Sequence, residues 1–179
     1  MKSVIIIPAR MESKRFPGKP LAECGGVPLL QRTYDAATQT QADAVIVASP
    51  DREICEYCRD AGIQWKPTRD DHPSGTHRCA EVAGRMNKNA DVVVNWQVDE
   101  PLVDPRNVDR LIATRLHINS AATLIAPIDE IDAYDEDVVK TIVLGGIEVT
   151  QPCCHWFSRA PMRGAWGHVG VYAFRTRTL

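Results

Sequence analysis

Four short apolar runs punctuate the first half of the chain, and their spacing limits what it can fold into. Val4–Ile7 is wholly β-branched and stops at Pro8; Ala44–Ala48, Ile63–Trp65 and Val92–Val94 repeat the pattern. Runs this short, rich in valine and isoleucine, read as strands buried on both faces. Between them lie stretches with helix punctuation. Pro28 and Pro105 sit where a first helical turn tolerates proline, opening helices to about Gln41 and His117. Asp51 is a candidate N-cap for a helix to about Ala61, ended by Gly62, and Ser74 for one to about Met86. Ala121–Ala126, Val138–Val143 and Val169–Phe174 are later strand candidates. Strands alternating with helices imply βαβ units, hence an α/β fold with a mainly parallel sheet. Ligands of such sheets bind at the carboxyl ends of the strands. There is no internal repeat, low-complexity tract or linker, and 179 residues suffice to bury a core. One domain over residues 1–179 is the expectation.

The charge is nearly balanced, 23 acidic against 21 basic residues, which argues against a nucleic-acid partner. Its distribution is uneven: residues 1–20 and 156–179 each carry a net +4, leaving −10 for the middle. That asymmetry suits an anion site shared with a metal or a polar ligand, and scattered surface charge equally well. No run approaches the ~18 apolar residues of a membrane span, so no membrane partner is expected. The chain reads as cytoplasmic, with its six cysteines reduced. Cys55 and Cys58 have metal-pair spacing, but Cys153-Cys154-His155 lacks it, which argues against structural zinc. The six acids of Asp129–Asp137 lack the order of a calcium loop and read as a solvated loop. Trp65, Trp96, Trp156 and Trp166 read as core or cleft-wall residues.

Neither a dinucleotide fingerprint nor a Walker loop occurs. The first strand leads instead into Pro8-Ala9-Arg10-Met11-Glu12-Ser13-Lys14-Arg15-Phe16-Pro17-Gly18-Lys19-Pro20. Arg10, Arg15 and Lys19 share a loop whose prolines limit the entropy lost on ordering. Three such cations suit a triphosphate, arginine forks engaging its oxygens in pairs. A solvated loop accounts for the charge alone as well.

Four blocks carry a resemblance. Pro8–Arg10 with Ser13–Pro20 is similar to the PAR…S-x-R-x-PGKP loop of the sugar-nucleotide cytidylyltransferases. The nearest pattern is that of the 3-deoxy-manno-octulosonate (Kdo) cytidylyltransferase, or CMP-Kdo synthetase, family. Thr68–Arg78 resembles its TRxDHxSGTxR segment and Gln97–Pro101 its QGDEP. Phe157–Pro161 resembles FSRAPIP, and Gly167–Tyr172 resembles RHIGLY. The blocks stand in family order and span the chain.

The resemblance implies a three-layer Rossmann-like nucleotidyltransferase fold. It also implies transfer of CMP from CTP to the anomeric hydroxyl of Kdo, giving CMP-Kdo and pyrophosphate, for lipopolysaccharide biosynthesis. Arg10, Lys19 and Asp99 would be catalytic. Arg10, Arg15 and Lys19 would hold the CTP phosphates and Ala9 the cytosine. Ser74 and Gly75 would close on the base, with Arg69 nearby. Asp99 would bind Mg²⁺, whose hard charge prefers carboxylate and phosphate oxygens. Gln97, Arg78, Arg159, His168 and Tyr172 would contact the acidic sugar. A homodimer is left open.

Three departures stand out. Val98 replaces a glycine, His77 replaces an acidic residue, and the chain is short beside the family's C-terminal helices with their second metal-binding aspartate. The segment between Arg159 and His168 is also abbreviated. A transferase for another, sialic-acid-like sugar and a non-catalytic CTP-binding remnant are the alternatives. The Arg15-Phe16-Pro17-Gly18-Lys19 loop weighs against the former, whereas the short C-terminus supports the latter.

Overall fold

β1 (Ser3–Pro8) is buried at every residue, as a strand covered on both faces must be. The computed structural model describes residues 1–13, 16–86, 90–114, 116, 120–144 and 152–179. Arg15 and the expected helix end at His117 lie outside the described residues. The described chain forms two compact units, residues 1–122 with 170–179, and residues 123–169.

In the first unit β1 is flanked in parallel by β4 (Ala44–Ser49) and β6 (Val92–Trp96). A short hairpin, β2 (Glu23–Cys24) and β3 (Val27–Pro28), precedes α1 (Leu29–Thr38). α2 (Arg52–Asp60) leads into β5 (Trp65–Pro67), which adds parallel to β4. α3 (Gly75–Arg85) precedes β6, and α4 (Pro105–Ala113) follows it. Registers such as Val4↔Ala44 and Val4↔Val93 stack apolar side chains. On one face Val4, Ile6, Ile46, Ala48 and Val93 pack with Cys79, Val82 and Ala83 of α3. Residues 170–175 close the unit antiparallel to β6. The sheet is thus mostly parallel and flanked by helices, an α/β architecture of the expected Rossmann-like kind.

The third strand is displaced from the expected Ile63–Trp65. Ile63 is buried as a packing residue, and pairing with β4 starts at Trp65. Asp51 stands at the α2 N-cap, but its side chain caps nothing there. Its carboxylate accepts the Met11 N–H instead (2.8 Å), fastening the loop after β1. Ser74 does cap α3, accepting the His77 N–H.

The second unit is antiparallel. After β7 (Ala121–Pro127) come α5 (Glu130–Tyr134), β8 (Lys140–Leu144) and β9 (Cys153–Ser158). β10 (Trp166–Arg175) begins in this unit, pairing with β8, and its remainder belongs to the first. The acidic run is therefore not simply a solvated loop. Asp129 caps a short helix through the Asp132 N–H (2.8 Å), and Ala133 is buried. Trp96 is core as expected, whereas Trp156 is 58% exposed. Among the described residues no helix is long and apolar enough to cross a membrane.

Lys140 is fully buried, its ammonium donating to the carbonyls of Asp135 (2.5 Å) and Arg159 (2.8 Å). Replacing it with methionine keeps the volume but takes the ammonium from the Arg159 carbonyl, whereas that of Asp135 keeps the Val138 N–H (3.3 Å). We expect Lys140→Met to lower unfolding free energy by about 1–3 kcal/mol, measured by denaturant titration. An unchanged midpoint would show that the buried ammonium's desolvation cancels its bonds.

Candidate active site

The carboxyl ends of β1 and β6 open into a cleft within the first unit. One pocket, about 190 Å³, is lined by Pro8, Ala9, Arg10, His72, Ser74, Gly75, Arg78 and Gln97. A second, about 360 Å³, shares Pro8, Arg10 and Gln97 and adds Glu12, Ser13, Lys19, Pro20, Val98 and Asp99. Most of the residues singled out in the sequence therefore meet here, as the edge rule for α/β sheets requires.

The loop after β1 is held by backbone. Ala9 N–H donates to the Ala48 carbonyl (2.9 Å), and Gly18 N–H to that of Met11 (2.8 Å). Gly18 adopts φ +74°, a left-handed turn that favours glycine, and feeds the 3₁₀ turn Lys19–Leu21. That turn aims Lys19 Nζ at Asp99 Oδ2, 2.6 Å away. Both side chains are partly open, at 28% and 46%. Next to them Glu100 accepts the Gly170 N–H (2.7 Å). Burial pushes its carboxyl above the usual value, against the pull of that N–H. Tyr172, half-buried on β10 opposite Asn95, has its hydroxyl raised chiefly by burial and next by the Glu100 charge.

The other wall is the start of α3. A Cβ on Gly75 would stand 3.0 Å from Pro8 Cγ and 3.1 Å from Gln97 Nε2, so a side chain there would press both neighbours back by a few tenths of an ångström. Gln97 is oriented through Nε2 to Asn95 Oδ1 (2.9 Å), and Asn95 in turn to Thr76 (3.2 Å). Ser74 Oγ lies 2.7 Å from His77 Nδ1, which gives the non-acidic residue at 77 a local partner. Val98, standing in place of the family glycine, is buried, and its carbonyl accepts from Thr33 Oγ1 (2.7 Å).

Arg78 is only 2% exposed, and its Nη1 donates to Thr68 Oγ1 and the Arg69 carbonyl (2.8 Å). Arg69 lines neither pocket, and its side chain pairs with Asp71 at 3.6 Å. Arg159 and His168 belong to the second unit. Arg159 Nη1 donates to the carbonyls of Glu136 (3.1 Å) and Asp137 (2.7 Å). The His168 ring packs edge-on against Phe157, at 5.3 Å between centroids, with Thr123 Oγ1 3.0 Å from its Nε2. Burial lowers its basicity.

Sequence reasoning passed over Ser13, Glu12, His72 and Glu100. The acid of Glu100 beside Asp99 was a visible signal. His72 had none beyond its block.

Among known proteins, the 3-deoxy-manno-octulosonate cytidylyltransferase of Pseudomonas syringae pv. tomato is 38% identical over 98% of this chain and 75% of its own length. That of Pseudomonas fluorescens is 37% identical over the same shares. A solved structure of CMP:2-keto-3-deoxy-manno-octonic acid synthetase, complexed with CTP, superposes with TM-score 0.84 at 36% identity. It covers 99% of this chain and 76% of that one. A 4-diphosphocytidyl-2C-methyl-D-erythritol synthase shares the fold, with TM-score 0.62 at 12% identity, over 98% of this chain and 76% of its own. With the cytidylyltransferase family model matching residues 4–179 and relatives this similar along nearly the whole chain, this protein belongs to the cytidylyltransferase family.

Proposed function

We propose that the cleft binds CTP and that this chain transfers its CMP to the anomeric hydroxyl of Kdo, releasing pyrophosphate, toward lipopolysaccharide. The sugar hydroxyl oxygen bonds the α-phosphorus as the α–β anhydride bond breaks. The observation that carries this reading is the convergence of Arg10, Lys19 and Asp99 on one cleft whose other wall is the Gly75 helix start. Arg10 and Lys19, with Arg15, hold the phosphates and offset their charge. Ala9, Ser74 and Gly75 wall the base. Gln97, Arg78 and Tyr172 receive the sugar, Arg78 its carboxylate. The cytoplasm is the setting.

The donors at Asp99 fit a hard divalent cation. Among the described residues Lys19 engages only Oδ2, leaving Oδ1 available, and Glu100 adds a neighbouring carboxyl. Those residues contain no group of three or more His, Cys, Asp or Glu suited to a metal, so phosphate oxygens would complete the set. When bound, Mg²⁺ supplies charge neutralisation on the triphosphate.

The test incubates the protein with CTP, Mg²⁺ and Kdo and measures pyrophosphate and CMP-Kdo. Product with Kdo is expected. Product with a sialic acid but not Kdo would reassign the sugar, and CTP binding without product would overturn the transfer. Gly75→Ala should weaken CTP binding about tenfold, because its methyl meets Pro8 and Gln97. Calorimetry giving an unchanged Kd would place the base elsewhere.

A further inference from the structure

The segment that walls the nucleotide pocket, residues 67–74, has little regular structure of its own beyond the end of β5. What fixes it is one side of α3. Arg78, Glu81 and Arg85 recur at helical spacing, and each reaches that segment. Arg78 takes Thr68 and the Arg69 carbonyl, and Arg85 Nη1 donates to the Pro67 carbonyl (2.7 Å). Glu81 does most. Its Oε2 accepts the Arg69 N–H (3.0 Å) and pairs with His72 Nε2, while Oε1 accepts from Arg85. Both carboxylate oxygens are thus used, at 11% side-chain exposure. His72 is itself buried and lines the pocket beside Arg10, Ser74 and Gly75.

We propose that Glu81 is a positioning residue of the nucleotide pocket, setting the His72 ring and the Arg69 backbone without touching CTP. The inference rests on the reading of that pocket as the CTP site. A loop this irregular has several conformations of similar energy, and anchoring it beforehand lowers the ordering cost of binding. Glu81 is the point where three of its anchors meet. Its loss should therefore act on nucleotide affinity rather than on chemistry at the α-phosphorus.

The experiment measures CTP binding by calorimetry without sugar, then kcat and both KM values, for the wild type, Glu81→Gln and Glu81→Ala. Glu81→Ala should weaken CTP binding about tenfold, with kcat at saturating CTP within about twofold and the KM for Kdo unchanged. Glu81→Gln keeps one acceptor and should lose about threefold. A folded Glu81→Ala with wild-type affinity would overturn the proposal. So would one losing affinity, kcat and Kdo KM together. Should the alanine variant fail to fold, Glu81→Gln decides, and an unchanged Kd there overturns the proposal. Failure of the wild type to bind CTP would instead overturn the pocket assignment, so the two failures are told apart.

Discussion

Asp99→Asn should lower turnover at saturating CTP and Kdo by about 10³-fold, the scale of a lost charge-stabilising group at a reacting centre. The substitution keeps size and shape, so the β6 exit and the pocket should survive. The only contact it weakens among the described residues is the ion pair to Lys19, whose partners are both partly exposed. Such a pair contributes at most about 1 kcal/mol, so the unfolding midpoint should barely move. CTP binding measured without divalent metal should also hold, since losing a negative charge near the triphosphate does not repel it. The decisive measurement is pyrophosphate release against Mg²⁺ concentration. A variant retaining the wild-type Mg²⁺ response would show that Asp99 does not hold the metal.

Asp99 was singled out by the resemblance of its block, and the consecutive valines before it placed it where a buried strand ends and the chain emerges. The same logic located Ala9 and Arg10 after β1. Periodicity sees a residue's own element but not the partner across space, and the misreadings follow from that. Asp51 looked like a helix cap because its local setting is a cap's. Only the folded chain shows Met11 N–H competing for the carboxylate. Glu81 carries no signal in its own helix of the segment it ties down. β9 gave no alternation to read, since four of its six residues are exposed and none is buried, and its register with β8 slips between Ile142 and Val143. α5 hid in an acidic run because a helix of five residues has too few turns to show a period.

Lys19 is where charge balance and loop geometry act on one atom, and its replacement carries the second large effect. The ammonium is held 2.6 Å from Asp99 by the turn after Gly18. A triphosphate presents a denser negative charge than one carboxylate, so CTP should compete for that ammonium and release Asp99 oxygen to a cation. Lys19→Met keeps the apolar stem and removes the charge. We expect kcat/KM to fall about 10²- to 10³-fold, or about 3–4 kcal/mol of transition-state stabilisation. Lys19→Arg should recover only part of this, because a planar fork cannot reproduce a compact ammonium in the same turn. The pairing with Asp99 predicts non-additivity as well. In Lys19→Met with Asp99→Asn the loss should be smaller than the product of the single losses, since each variant already disrupts the shared arrangement. Steady-state kinetics on the four proteins measures that coupling. Strict additivity would mean that the ammonium and the carboxylate act independently and that the contact between them is incidental to catalysis.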